Sequence, residues 1–151
     1  MTPSLEPVCA LTIDLTRPHE MGSCPGGTRR IIPIVGGTAT GERINGRILN
    51  IGADWQTVQT GGLAQLDARY AIETQDGAVI EVISQGIRHM PAEVAARAAG
   101  GEDVPFDAYY MRTFIRLESG HPDYDWVNRS LFLATGGKRG AAVHLDIFRI
   151  A

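Results

Sequence analysis

The chain carries its chemically capable side chains inside alternating segments. In LDARYAIE (66–73), Leu66, Ala68, Tyr70 and Ile72 share one face, and Asp67, Arg69, Ala71 and Glu73 share the other, because successive strand side chains point to opposite faces. In YYMRTFIRLE (109–118), Tyr109, Met111, Thr113, Ile115 and Leu117 alternate with Tyr110, Arg112, Phe114, Arg116 and Glu118. GADW ends on Asp54 and Trp55, and DWVNRS offers Trp126 and Asn128. An arginine inside a small barrel must be paired or face a ligand, since an uncompensated buried charge costs several kcal/mol. Such a set supports proton transfer beside a held oxygen. Asp54 or Glu118 would be the acid or base, Tyr110 a hydrogen-bond donor, and Arg69 or Arg112 the stabiliser of an enolate or carboxylate.

The expectation is a polar cluster in which Arg69 meets Arg112 and at least one of Asp54 and Glu118. Tyr70 would then pack among apolar residues on the opposite face, with only its hydroxyl reaching a partner. The plainer account makes Arg69, Glu73, Arg116 and Glu118 solvated cross-strand pairs worth a few tenths of a kcal/mol each. Alternation tells which residues share a face and not which face is inside. Trp55 and Trp126 fit either core packing or the wall of a binding cavity. His89, just before Met90-Pro91, fits a helix start or a general base at a barrel mouth.

Other chemistries lack their signatures. His19, His89, His121 and His144 are isolated, without the short spacings of a metal site. GGTATG and GGKRG have glycines in the wrong pattern for a dinucleotide or nucleotide-phosphate loop, and no G-x-S-x-G occurs. No metal and no cofactor is expected. Net charge is −3 with scattered basic residues, which argues against a nucleic-acid or anionic-membrane partner. Cys9 and Cys24 form no C-x-x-C, and Cys9 reads as a small buried hydrophobe. The opening residues carry no basic, apolar leader and no stretch reaches membrane-spanning length, so a cytoplasmic location is expected.

The elements that must position these residues are strands. At 151 residues, 44% hydrophobic and 21% charged, the composition is that of one globular domain, residues 1–151. VCALTIDLT (8–16) alternates, and 17–28 supplies turn residues. The segment 29–41 is a strand interrupted by Pro33 and Gly36-Gly37, and 44–62 is another, with Asn45-Gly46 as a turn. Asp76-Gly77 between two alternating runs marks a hairpin whose second strand continues to His89. PAEVAARAAGG (91–101) is the single helix, with Pro91 at its start and glycines at its end. Strands at 109–119, 129–135 and 141–150 follow, with a turn or short helical loop at 120–128. Many strands, one helix and no βαβ rhythm predict an all-β fold, a sandwich or barrel.

RRIIPIVGGTATGERINGRILNIGADWQTV, LDARYAIETQDGAVIEV, GIRH, YYMRTFIRLESG and YDWVNRSLFL together resemble the family called domain of unknown function 3237. The resemblance implies a single antiparallel β-barrel, lipocalin-like or allene-oxide-cyclase-like, and names no cofactor. Its motif falls on Asp54, Trp55, Arg69, Tyr70, Arg88, Tyr110, Arg112, Arg116, Glu118, Trp126 and Asn128. The resulting expectation is a catalytic set of Asp54, Arg69, Tyr110, Arg112 and Glu118. Trp55, Arg88, His89, Trp126 and Asn128 would bind the ligand, a small hydrophobic or carbonyl- or carboxylate-bearing molecule. Two functions share these residues: a cofactor-free cyclase, isomerase or lyase, and a non-catalytic small-molecule-binding barrel. An acid near the site with a perturbed pKa favours the enzyme; carboxylates all locked to arginines favour the binder. A homodimer is one option for assembly.

Overall fold

A computed structural model describes residues 1–151. Ten strands succeed one another: β1 (Leu5–Leu15), β2 (His19–Cys24), β3 (Gly27–Thr40), β4 (Gly46–Ile48), β5 (Gly52–Val58), β6 (Leu63–Thr74), β7 (Val79–His89), β8 (Tyr110–Glu118), β9 (Phe132–Arg139) and β10 (Ala142–Ile150). The helix α1 (Ala92–Ala99) lies between β7 and β8. The strands pair antiparallel in the order β1-β10-β9-β8-β7-β6, and β4 and β5 share the next place, between β6 and β3. β3 then pairs β1, and the sheet closes on itself as an eight-strand barrel. The antiparallel barrel with one short helix expected above is what the chain forms.

The alternation of β8 shows how the sequence sets the inside. Met111, Thr113, Ile115 and Leu117 are buried while Tyr110, Arg112, Phe114, Arg116 and Glu118 are exposed, so the apolar parity faces the lumen. Asp76-Gly77 makes the β6–β7 turn, with Gly77 at φ 88°, a conformation glycine adopts without steric cost. One segment departs from expectation. Residues 17–28, read as turn residues, contain β2, because after a break at Thr16–Pro18 the chain goes on alongside β3. β1 pairs β3 over Ile34–Thr40, and β2 takes over along Gly27–Ile31.

The two ends of the barrel are built differently. At the end with the β6–β7 turn, Ile44, Ile72, Ile80, Val127 and Phe132 are fully buried in one cluster, each contributing about 1.5–3 kcal/mol of transfer free energy. Tyr124 completes this closed end, its hydroxyl donating to the Asp76 carboxylate at 2.9 and 3.1 Å. Asn128 clamps the chain after β8, accepting from Ser119 N–H and donating to Ser119 C=O, both at 2.9 Å. At the other end, where β1 gives way to β2 and β9 turns into β10, the lumen stays open. Cys9 is buried and both cysteines are free; burial and the nearby Asp146 charge push the Cys9 thiol up to about 12, so it stays neutral. No helix is long and apolar enough to cross a membrane.

Candidate functional site

The open end holds a cavity of about 570 Å³ that reaches the surface beside Thr16–Pro18 and the β9–β10 turn, within the ordinary size range of a small-molecule site. On the β1 and β10 side its wall is apolar, with Ile13, Leu15, Val143 and Leu145. The polar wall comes from β3, β5 and β7, and strand parity explains why. Arg30 shares a face of β3 with Ile32 and Ile34, and Arg88 shares a face of β7 with Ser84. On β5, Asp54 and Gln56 line the cavity while Trp55 between them is exposed. The register sets Arg30 opposite Gln56, Ile32 opposite Asp54, and Asp54 opposite Ala68 of β6.

A short chain of hydrogen bonds fixes the acid. Arg30 Nε donates to Gln56 Oε1 at 2.9 Å, and Gln56 Nε2 donates to Asp54 Oδ2 at 3.4 Å. The Asp67 backbone N–H donates to Asp54 Oδ1 at 2.9 Å. With its oxygen taken by Arg30, the Gln56 amide can present only N–H to Asp54. Burial raises the Asp54 pKa above the ordinary carboxylate value, against these two hydrogen bonds and the charge of Arg88, which lower it. None of the six ion pairs in the molecule includes Asp54.

Three buried side-chain polar atoms have no hydrogen-bond partner: Tyr70 Oη, Arg88 Nε and Thr113 Oγ1. All three residues line this cavity. None of the three finds a partner within the protein, and their gathering on one cavity needs an explanation. Burial raises the Tyr70 pKa well above the ordinary phenol range, which keeps its hydroxyl a neutral donor. Gly52 lets β5 pass directly against Tyr70, where a Cβ would collide with the tyrosine backbone and Cβ.

Of the residues singled out from the sequence, Asp54, Tyr70 and Arg88 line the cavity. The cluster expected around Arg69 and Arg112 does not form. Arg69 points outward with its side chain 70% exposed, and its Nη2 pairs with Glu81 at 2.7 Å. Arg112 also points outward, donating to Met111 C=O at 2.8 Å and stacking on Tyr110 at 4.9 Å. Tyr110 and Glu118 share that exposed face. The physical reason is the polar parity of β6. Asp67, Arg69 and Glu73 go to solvent together, and the face of Leu66, Ala68, Tyr70 and Ile72 goes inside. Tyr70 therefore packs among apolar residues, but its hydroxyl lacks the expected partner.

Trp55 and His89 are exposed on the outer wall. Trp126 packs edge-on against Phe132 at 5.9 Å and beneath Arg43 at 3.5 Å, and with Asn128 it belongs to the closed end. Sequence reasoning passed over Arg30, Gln56, Thr113, Lys138 and Arg17, which line the cavity. The signal for several was a polar residue on an otherwise apolar parity: Arg30 beside Ile32 and Ile34, Thr113 between Met111 and Ile115. No three His, Cys, Asp or Glu side chains come together as a metal-binding group.

The family model described as "Protein of unknown function (DUF3237)" matches residues 3–150. The chain belongs to this family. It is 41% identical over 155 residues to a protein of Rhodopseudomonas palustris (strain TIE-1) called "UPF0311 protein", covering 99% of each. Among solved structures it is similar to a beta-barrel like protein from Acinetobacter baumannii AYE, at 40% identity and a TM-score of 0.87, covering 100% of this chain and 98% of that one. A protein described as an enzyme from Penicillium herquei shares 18% identity at a TM-score of 0.76, covering 100% of this chain and 96% of that one. At that identity the likeness shows the barrel alone.

Proposed function

We propose that the open lumen is the active site of a cofactor-free enzyme, of the isomerase, cyclase or lyase type, acting on a small apolar molecule that bears a carbonyl or carboxylate. The observation that carries this reading is Asp54: a cavity-lining carboxylate, oriented on both oxygens, with a raised pKa and no arginine locked to it. A carboxylate tuned upward in this way is a better proton acceptor and donor near neutral pH than an ordinary aspartate. The unpartnered Tyr70 hydroxyl and Arg88 Nε–H are placed to donate to a substrate oxygen on which negative charge develops. Asp54 takes a proton from carbon beside the carbonyl, the enolate oxygen is held by the Tyr70 and Arg88 donors, and Asp54 returns the proton at another atom. Return at a different carbon is isomerisation; attack of the enolate carbon on a second carbonyl of the same molecule, whose π bond opens and whose oxygen takes the proton from Asp54, is cyclisation. The likeness in fold to the Penicillium herquei enzyme adds analogy to this reading, not geometry.

The test is proton exchange. Enolisable bicyclic ketones such as 2-tetralone are incubated with the protein in D2O, and loss of the α-proton signal is followed by NMR. Catalysed exchange that disappears in Asp54→Asn supports the enzyme. Equal catalysed exchange by the two proteins would remove Asp54 from the chemistry, and exchange no faster than in buffer alone would leave a binding barrel.

A further inference from the structure

The charges around the cavity identify a ligand class, taking from the proposal above only that the lumen is the site. Five arginines, Arg47, Arg69, Arg97, Arg129 and Arg149, are held in ion pairs with carboxylates. None of these five lines the cavity. The cations that do line it, Arg17, Arg30, Arg88 and Lys138, are in no ion pair. Asp54 is the single acid on the lining. This excess of positive charge stands in a chain whose net charge is −3, so it is not a reflection of overall composition.

Folding has also left two of these cations working against each other. Burial, and then the charge of Arg30, lower the Arg88 pKa by more than Tyr109 and Asp54 raise it, and Arg88 Nε has no acceptor within the protein. Like charges at a partly buried site destabilise it unless a counter-charge is supplied. The missing partner is an anion with oxygen acceptors. The wall formed by Ile13, Val143 and Leu145 calls for an apolar body on the same molecule.

We propose that the cavity takes an organic oxygen anion, a carboxylate or ionised enol or phenol on an apolar skeleton, with its charged oxygens toward Arg30 and Arg88 and its skeleton against the β1–β10 wall. Arg17 and Lys138 stand at the mouth, where they draw such a molecule in.

Two dyes sharing one skeleton test this. 1-Anilinonaphthalene-8-sulfonate is an anion, and N-phenyl-1-naphthylamine is its neutral counterpart. The sulfonate should bind at one site per chain about tenfold or more tighter than the amine, a difference of about 1.4 kcal/mol. The preference should shrink with added salt, and 2-naphthoate should displace the dye where 2-naphthamide does not. Arg88→Gln and Arg30→Gln, each checked for folding by its melt, should each abolish most of the preference. Arg69→Gln, on the outer wall, should leave it intact. Equal affinity for the two dyes, no binding of either, or an undiminished preference in both variants overturns the proposal. The acid–base reading fails separately, if proton exchange survives Asp54→Asn, because dye selectivity does not depend on that acid.

Discussion

Tyr70 and Tyr124 are both buried, 3% and 8% exposed, yet they have opposite circumstances. At the closed end the Tyr124 hydroxyl donates to both oxygens of Asp76. At the open end the Tyr70 hydroxyl meets nothing. Two aspartates repeat the contrast. Asp76 has its pKa lowered, first by the Thr74 hydroxyl and then by Tyr124, while Asp54 has its pKa raised by burial. One end of the barrel satisfies its polar groups and packs its apolar ones; the other leaves donors and charges unmatched around a space. The first arrangement is what stability alone would select. On the function proposed above, the second is completed by a ligand that is not part of the chain, which is how functional sites trade stability for chemistry.

The largest effect should come from the closed end. Phe132→Ala, at a residue with no exposed surface, should cost about 3–5 kcal/mol in urea unfolding, while the molecules that remain folded bind the sulfonate dye as before. A variant that lost dye binding in its folded fraction would erase the division between the ends.

Next in size is a gain. Arg88→Met removes a charge that burial and Arg30 disfavour by more than Asp54 and Tyr109 offset, and keeps most of the side chain's apolar reach. It should raise stability by about 1 kcal/mol, seen as a melting temperature higher by about 2–4 °C.

A pair of pH series sharpens the comparison further. Folding raises the Asp54 pKa, so its contribution is fully present below the ordinary value of 3.8 and is lost as pH rises through the folded pKa. Asp54→Asn should therefore be more stable than the parent near neutral pH, and the gain should fade in acid. Folding lowers the Asp76 pKa, so its contribution is present above 3.8 and lost as pH falls through the folded pKa. Tyr124→Phe should accordingly be less stable at neutral pH, with a deficit that fades in acid. Melting curves between pH 3 and 7 read both signs. The smallest effects should be those of Arg69→Met and Arg112→Met on the solvated wall, within about 0.5 kcal/mol.

The strands, the Asp76-Gly77 hairpin and the helix were legible because periodicity and turn residues are local signals. β2 was not, since HEMGSC is exposed along most of its length and exists as a strand only because β3 runs past it. The candidate site was legible in part. Asp54 and Arg88 were named, and Tyr70 was placed among apolar residues, but the cluster was built on Arg69 and Arg112. Those two arginines share their faces with Asp67, Glu73 and Glu118, and a face rich in charges goes to solvent. Thr113 stands alone between Met111 and Ile115, and Arg30 shares its parity with Ile32 and Ile34, and that company puts a polar group inside. Which inward groups meet one another depends on barrel closure and cross-strand register, which no single strand encodes.

The central claim is that the open end's unpartnered donors are held for a ligand. Tyr70→Phe tests it most directly, since it removes one hydroxyl and nothing else. Measured by urea unfolding without ligand, the variant should be as stable as the parent or more stable by up to about 1 kcal/mol, because a buried donor without an acceptor is a cost. Its turnover or ligand affinity should fall. A loss of about 1 kcal/mol or more in stability would mean that the fold already satisfies this hydroxyl, and the account of the open end would be wrong.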